Sequence, residues 1–199
     1  MPLLPLEPFV YPEEILSIPH APGENPVCWW VLHTRPRAEK MLARKLLKQQ
    51  ISFFLPLYQR SWRSRGRLLS SYLPLFPGYV FIKSESHHAF HTVETNLVAQ
   101  VLPVVDQEQL HSDLVRVYRL IITGSPLTSE ARLMPDSEVE IVRGPLAGLK
   151  GRVIRRGKQL KFVVEVQFLQ QGVSVELESW MIEPQSGAQL ATPSSCKCL

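Results

Sequence analysis

The chain has 199 residues, 45% apolar and 20% charged, ordinary proportions for a folded chain with a sizeable core. No apolar run reaches the roughly 18 residues of a membrane span, and the opening MPLLPLEPFVYPEE lacks the basic region and continuous apolar stretch of a secretion signal. The formal charge is +4, and Cys28, Cys196 and Cys198 make no disulfide framework, which fits a reducing cytoplasm.

Residues 1–26 hold seven prolines and no Lys or Arg. Each proline fixes its backbone and removes a donor, so this segment is expected to be a disordered or loosely extended tail. Residues 27–124 carry 13 Lys+Arg against six Asp+Glu, so positive charge gathers in the middle of the chain, where a polyanion would be steered. Within it, CWWVLHT is a strand former. RPRAEKMLARKLLKQQ follows as a helix, with Ala38, Met41, Leu42, Lys45 and Leu46 on one stripe and Arg37, Lys40, Arg44 and Lys48 off it. FFLPLYQRSW reads as a strand, RSRGR as a hairpin tip at Gly66, and SYLPLFPGYVFIK as the returning strand. A short helix over 86–95, the strand VAQVLPVV and the helix SDLVRVYRLIITG, stopped by Gly124, complete the set.

The order β-α-β-β-α-β-α predicts an α+β fold, a ferredoxin-like sandwich with helices on one face of an antiparallel sheet. Residues 125–136 read as a linker. Over 137–184 the period changes to two, as in LKFVVEVQFL, and several short strands with glycine turns predict a small SH3-like β-barrel. Residues 185–199 are small and polar and read as a second disordered tail. HHAFH places His87 and His91 four apart, but no further ligands complete a closed site, so no metal or other cofactor is expected. No triad, phosphate loop or isolated carboxylate pair suggests an enzyme.

In the barrel segment, VRGPLAGLKGRV resembles the KOW motif, carried by Gly144, Pro145, Leu146, Gly148, Leu149 and Gly151. The glycines would supply conformations or close approaches that side chains forbid, while Leu146 and Leu149 plug the barrel. Earlier, WWVLHTRPRAEK and LFPGYVFI are similar to the amino-terminal domain of the NusG/RfaH family of transcription elongation factors, and the resemblance, with the KOW motif, covers roughly residues 28–184. The resemblance implies docking on the clamp helices of the largest RNA polymerase subunit. It also implies a KOW domain that recruits a ribosomal protein or a termination factor, and a cytoplasmic monomer without membrane contact. LPLFPGYVFI looks most like RfaH-type antitermination factors, whose carboxy-terminal domain can form a helical hairpin; the alternation over 161–168 favours a stable barrel here.

On this reading Val80 and Ile82 face the helices, while Tyr79 and Phe81, joined by Phe76 and by His33 of the first strand, line a polymerase-binding pocket on an open sheet face. The plainer alternative is that these aromatics are core. His91 and Thr92 match the start of a polar motif that touches a second polymerase element. Arg35, Arg37, Lys40 and Arg44, with Arg60, Arg63, Arg65 and Arg67 of the hairpin, would lie near upstream DNA or the non-template strand, contacting phosphates without sequence code. Trp62 is placed to stack on a base. Two other readings stand beside this one: a KOW-type RNA- or ribosome-binding protein acting through RRGKQLK, and a factor that dimerises through the aromatic face.

Overall fold

The computed structural model describes residues 8–17, 27–64, 66–85, 96–124, 127–130, 138–141, 146–156, 159–177 and 182–184. The first sheet is centred on Cys28–Thr34 (β2), whose aromatic and branched side chains suit a pleated, largely buried surface. β2 pairs antiparallel with Tyr79–Ser84 (β6) and with Val98–Pro103 (β7). β6 pairs with Ser52–Phe54 (β3) and β3 with Val10–Tyr11 (β1), so the order is β1-β3-β6-β2-β7.

Alternation along these strands divides the apolar side chains into two sets. Leu32, Phe53, Val80 and Ile82 pack with Leu42, Ala43 and Leu46 of helix Glu39–Lys48 (α1). Trp29, Val31, Phe54 and Phe81 pack with Leu110, Leu114, Val117 and Leu120 of helix Gln107–Ile122 (α2). The two helices therefore lie on opposite faces of the sheet, which corrects the expectation of helices on one face only. The cause is the stripe on α2. Burying each of its large aliphatic side chains contributes about 1.5–3 kcal/mol, and the aromatic sheet face is the surface that receives them. Asp106 caps α2, accepting from the Gln109 amide at 2.9 Å. Gln107 then clips the helix to β2, accepting from the Trp29 amide at 2.7 Å and donating to the Trp29 carbonyl at 3.0 Å. The helix expected over 86–95 lies outside the described residues.

Two runs read as single strands are each broken in two. FFLPLYQRSW divides at Leu55 and Pro56 into β3 and Leu57–Ser64 (β4); SYLPLFPGYVFIK divides at Leu75–Gly78 into Arg67–Pro74 (β5) and β6. Proline cannot donate to a ladder, and Gly78 turns with φ +85°. The result is that β4 and β5 leave the sheet and pair only with each other, as a two-stranded ribbon.

The proline-rich leader is also more structured than expected. β1 adds an edge strand, the Leu55 amide donates to the Phe9 carbonyl at 2.6 Å, and a 3-10 turn over Glu13–Leu16 buries Ile15 and Leu16 in the α2 cluster. Prolines bar helices and central strands but not a two-residue edge strand. The remainder of the leader and residues 185–199 lie outside the described residues.

In the second half, Glu138–Ile141 (β9), Lys150–Arg156 (β10), Gln159–Val166 (β11), Gln171–Leu177 (β12) and Ile182–Pro184 (β13) form an antiparallel sheet. A sixth strand, Leu127–Glu130 (β8), falls inside the expected linker and pairs with β12, so the order is β13-β9-β10-β11-β12-β8. That pairing satisfies an edge that β12 would otherwise leave open. Phe162, Val164, Leu146 and Leu149 of this half belong to the same apolar cluster as α2 and Trp29.

Candidate functional site

The Pro-Gly step is a rigid corner. The Gly78 amide donates to Glu39 Oε1 at 2.7 Å, and its carbonyl accepts from the Thr34 amide at 2.8 Å. The turn between β5 and β6 is thereby tied both to the first turn of α1 and to the end of β2. A side chain at residue 78 would have room, 3.6 Å from the His33 ring, but the positive φ favours glycine.

Beside this corner His33 and Tyr79 are registered opposite each other, with ring centroids 5.2 Å apart, and both are partly exposed. Phe76 and Phe81 are not: they are 1% and 0% exposed and meet edge to face at 6.1 Å. The expected open aromatic pocket is therefore corrected. Phe76 and Phe81 are core beneath α2, and only His33 and Tyr79 reach the surface at the end of the same sheet face. Sequence alternation placed Phe81 on the right face but could not say that α2 would cover it.

The cationic residues fall on two separate elements. Arg35, Arg37 and Arg44 are exposed and Lys40 is half-buried at the entry to α1; Arg37 has φ +62°. Arg60, Arg63 and Arg67 are exposed on the β4–β5 ribbon, with Trp62 at 43% exposure. Arg65, His91 and Thr92 lie outside the described residues. At the ribbon's base, a cleft of about 580 Å³ opens between Leu57, Tyr58, Tyr72, Phe9 and the α2 end at Ile121 and Ile122.

A third constellation was not anticipated. Asp113 of α2 is fully buried, and its carboxylate accepts from Gln109 Nε2 at 2.8 Å, from Arg116 Nη2, and from the Gln167 amide at 2.9 Å. Arg116 Nη1 donates to the Lys150 carbonyl at 3.3 Å and Arg119 Nη2 to the Ala147 carbonyl at 3.1 Å. One helix face thus fastens the second sheet to the first. Burial pushes the Asp113 carboxyl above its ordinary range, against the opposing pull of the Gln167 amide, the Arg116 charge and the Gln109 amide. The signal was present: Asp113 follows Leu110 by three residues and so lies beside the apolar stripe. The helix was read from Ser112, and Asp113 was assigned no role.

In the second half, Leu146 and Leu149 are buried at 4% and 1% exposure, and Gly148 has φ +79°. A Cβ on Gly151 would stand 2.6 Å from the Val163 carbonyl oxygen and 2.6 Å from the Phe162 ring. Gly144 and Pro145 lie outside the described residues. Among the described residues, no group of three or more His, Cys, Asp or Glu is placed to hold a metal ion, and no helix is long and apolar enough to cross a membrane.

Comparison with curated proteins gave no match. A solved structure, described as "Domain interaction in Thermotoga maritima NusG", is similar to the chain at 17% identity, covering 79% of this chain and 96% of that one with a TM-score of 0.46. A family model described as "Transcription termination factor nusG" matches residues 27–143. That span is more than half of the chain and takes in β2 to β7, both helices and the Pro-Gly corner: the chain belongs to the NusG family, a family of transcription factors that bind RNA polymerase and not of enzymes.

Proposed function

We propose that the chain is a transcription elongation factor of the specialised, antiterminating kind, similar to RfaH-type members of its family. The first half docks on the clamp helices of the largest polymerase subunit and suppresses pausing by holding the clamp closed over the nucleic acids. No step in this is catalytic; the contribution is steric and electrostatic, and no cofactor takes part. The observation that carries the reading is the family match over residues 27–143.

The polymerase contact falls on the exposed rim formed by His33 and Tyr79, with His91 and Thr92 contributing a second contact. Phe76 and Phe81 hold the Tyr79 strand from below and do not touch the partner themselves, since both are buried. Arg35, Arg37, Lys40 and Arg44, and the ribbon arginines, lie toward upstream DNA or the non-template strand as phosphate contacts. The second half acts as a KOW domain that recruits a ribosomal protein or termination factor. The working form is a cytoplasmic monomer.

The test is a pull-down with core RNA polymerase and a run on a paused template. Tyr79→Ala is expected to lose polymerase and leave pauses unrelieved, while Arg155→Glu retains both. Retention of polymerase by Tyr79→Ala, together with loss of RNA binding by Arg155→Glu, would instead identify an RNA- or ribosome-binding protein.

A further inference from the structure

A second cleft, of about 590 Å³, opens between α2 and the turn that leads into β10. Small-molecule sites span about 300–1,000 Å³, so the volume is of that class. One wall is a face of α2, where Ser112, Val115, Arg116 and Arg119 recur at the three-and-four spacing of side chains that stand together. The turn supplies the other wall through Leu149 and Lys150.

Three of these residues are cations, and none of the described residues lining the cleft is Asp or Glu. Asp113, the partner of Arg116, is 0% exposed, while Glu140 stands 4.0 Å from Lys150 Nζ, a loose contact for a lysine side chain that is 68% exposed. A concave surface of one sign concentrates its field on an entering ion of the other. The polar groups here are chiefly donors. Arg116 Nε is enclosed and has no acceptor among the described residues, and a donor shut away from water calls for one. Arg119 is exposed and donates from Nη2 to the Ala147 carbonyl at 3.1 Å. His111 Nδ1 accepts from Trp29 Nε1 at 3.3 Å, so the neutral ring carries its proton on Nε2, which makes that nitrogen a donor too. Arg116 Nη1 meets the Lys150 carbonyl at 3.3 Å, which draws the lysine to the helix cations.

We propose that this cleft binds a small molecule carrying two linked phosphates, held by Arg116 and Arg119 of α2 and by Lys150 of β10. Guanidinium forks match phosphate oxygens in shape as well as charge. A lone phosphate carries at most about two negative charges, short of three cations; a linked pair matches them. The cleft shares no residue with the ribbon or with the His33–Tyr79 rim, so the site stands independently of the function proposed above.

The experiment is calorimetry on the purified full-length chain with inorganic pyrophosphate, ADP, inorganic phosphate, citrate and polyglutamate. Pyrophosphate is expected to bind with a Kd of about 1 mM or tighter. Inorganic phosphate should bind about 10-fold more weakly, for the loss of one charged contact. Pyrophosphate should also shift the methyl resonances of Val115 and Leu149 and leave those of Leu42 and Leu46 in place. Lys150→Gln and Arg119→Gln should each weaken binding about 10-fold or more. The first keeps the Lys150 carbonyl that Arg116 holds, so its loss of affinity does not come from a loosened joint. Arg60→Gln, a cation removed from the ribbon, should match the parent. Tighter binding of ADP supports the site with a nucleotide as its ligand, and tighter binding of pyrophosphate supports it with a free diphosphate. Absence of heat at about 10 mM pyrophosphate, parent affinity in Lys150→Gln, or an equal loss in Arg60→Gln would each overturn the proposal. So would citrate binding as tightly as pyrophosphate, or polyglutamate binding more tightly, the last in favour of an acidic protein surface.

Discussion

Asp113→Ala is the most informative single change, because the carboxylate holds donors from both halves of the molecule. In the joined state the Gln167 amide loses its acceptor in a part-buried contact, which costs about 1–2 kcal/mol. Arg116 is left without its partner as well, but its side chain is 24% exposed and water recovers part of that loss. Against these stands the relief of burying a carboxylate whose charge is already disfavoured there. A net loss of about 1.5 kcal/mol is reasonable, roughly a tenfold shift away from the joined arrangement. Exchange at the Gln167 amide is a poor readout, since that amide loses its own bond in the variant. The methyl resonances of Leu149 and Val164, which pack in the cluster shared with α2, report the joint directly. They should move and broaden in Asp113→Ala while resonances of Leu42 and Leu46, in the other cluster, stay in place. Unchanged Leu149 and Val164 signals would show that Asp113 does not fasten the two sheets.

The raised Asp113 carboxyl has a pH consequence. From its ordinary value of 3.8 up to its raised folded value, the native chain holds a proton that the unfolded chain has released. Stability attributable to this group therefore falls as pH rises through that window. Urea titrations should show the parent losing ground relative to Asp113→Asn across the window; a pH-independent difference would refute the assignment. Gly151→Ala should destabilise by about 1–3 kcal/mol, since the new carbon meets the Val163 carbonyl as well as a flexible ring; an unshifted thermal midpoint would contradict the close approach. Phe81→Ala should cost about 3–5 kcal/mol through the cavity it leaves, whereas Tyr79→Ala, at the rim, should lose polymerase with little change in stability. Comparable destabilisation by the two in denaturant unfolding would argue against the division into core and rim.

Much of this was legible from pattern. Strand alternation put Val80 and Ile82 on one face and Tyr79 and Phe81 on the other, and the helix stripe of Leu42 and Leu46 was readable at its spacing. Glycine positions in the second half could be assigned physical roles, and Gly148 and Gly151 have them. Errors arose where a local signal had two outcomes. Prolines in the leader were read as a disordered or loosely extended tail, yet a segment with Phe9, Ile15 and Leu16 has enough apolar surface to dock at an edge. LTSE was read as linker because its four residues carry little pattern of their own; β12 supplies the pairing partner.

The residues alone determined that this chain has a first part mixing strands with amphipathic helices and a later part of period two, that its positive charge is concentrated between residues 27 and 124, and that it carries the motifs of its family. Those properties are local: each depends on neighbours within a few positions. Tertiary structure decided which face α2 covers, that Phe76 and Phe81 are core while His33 and Tyr79 form the rim, and that Asp113 lies buried between the two sheets. These depend on which apolar surfaces meet across a hundred residues, and a sheet face and a helix stripe can be recognised separately without revealing that they bury each other.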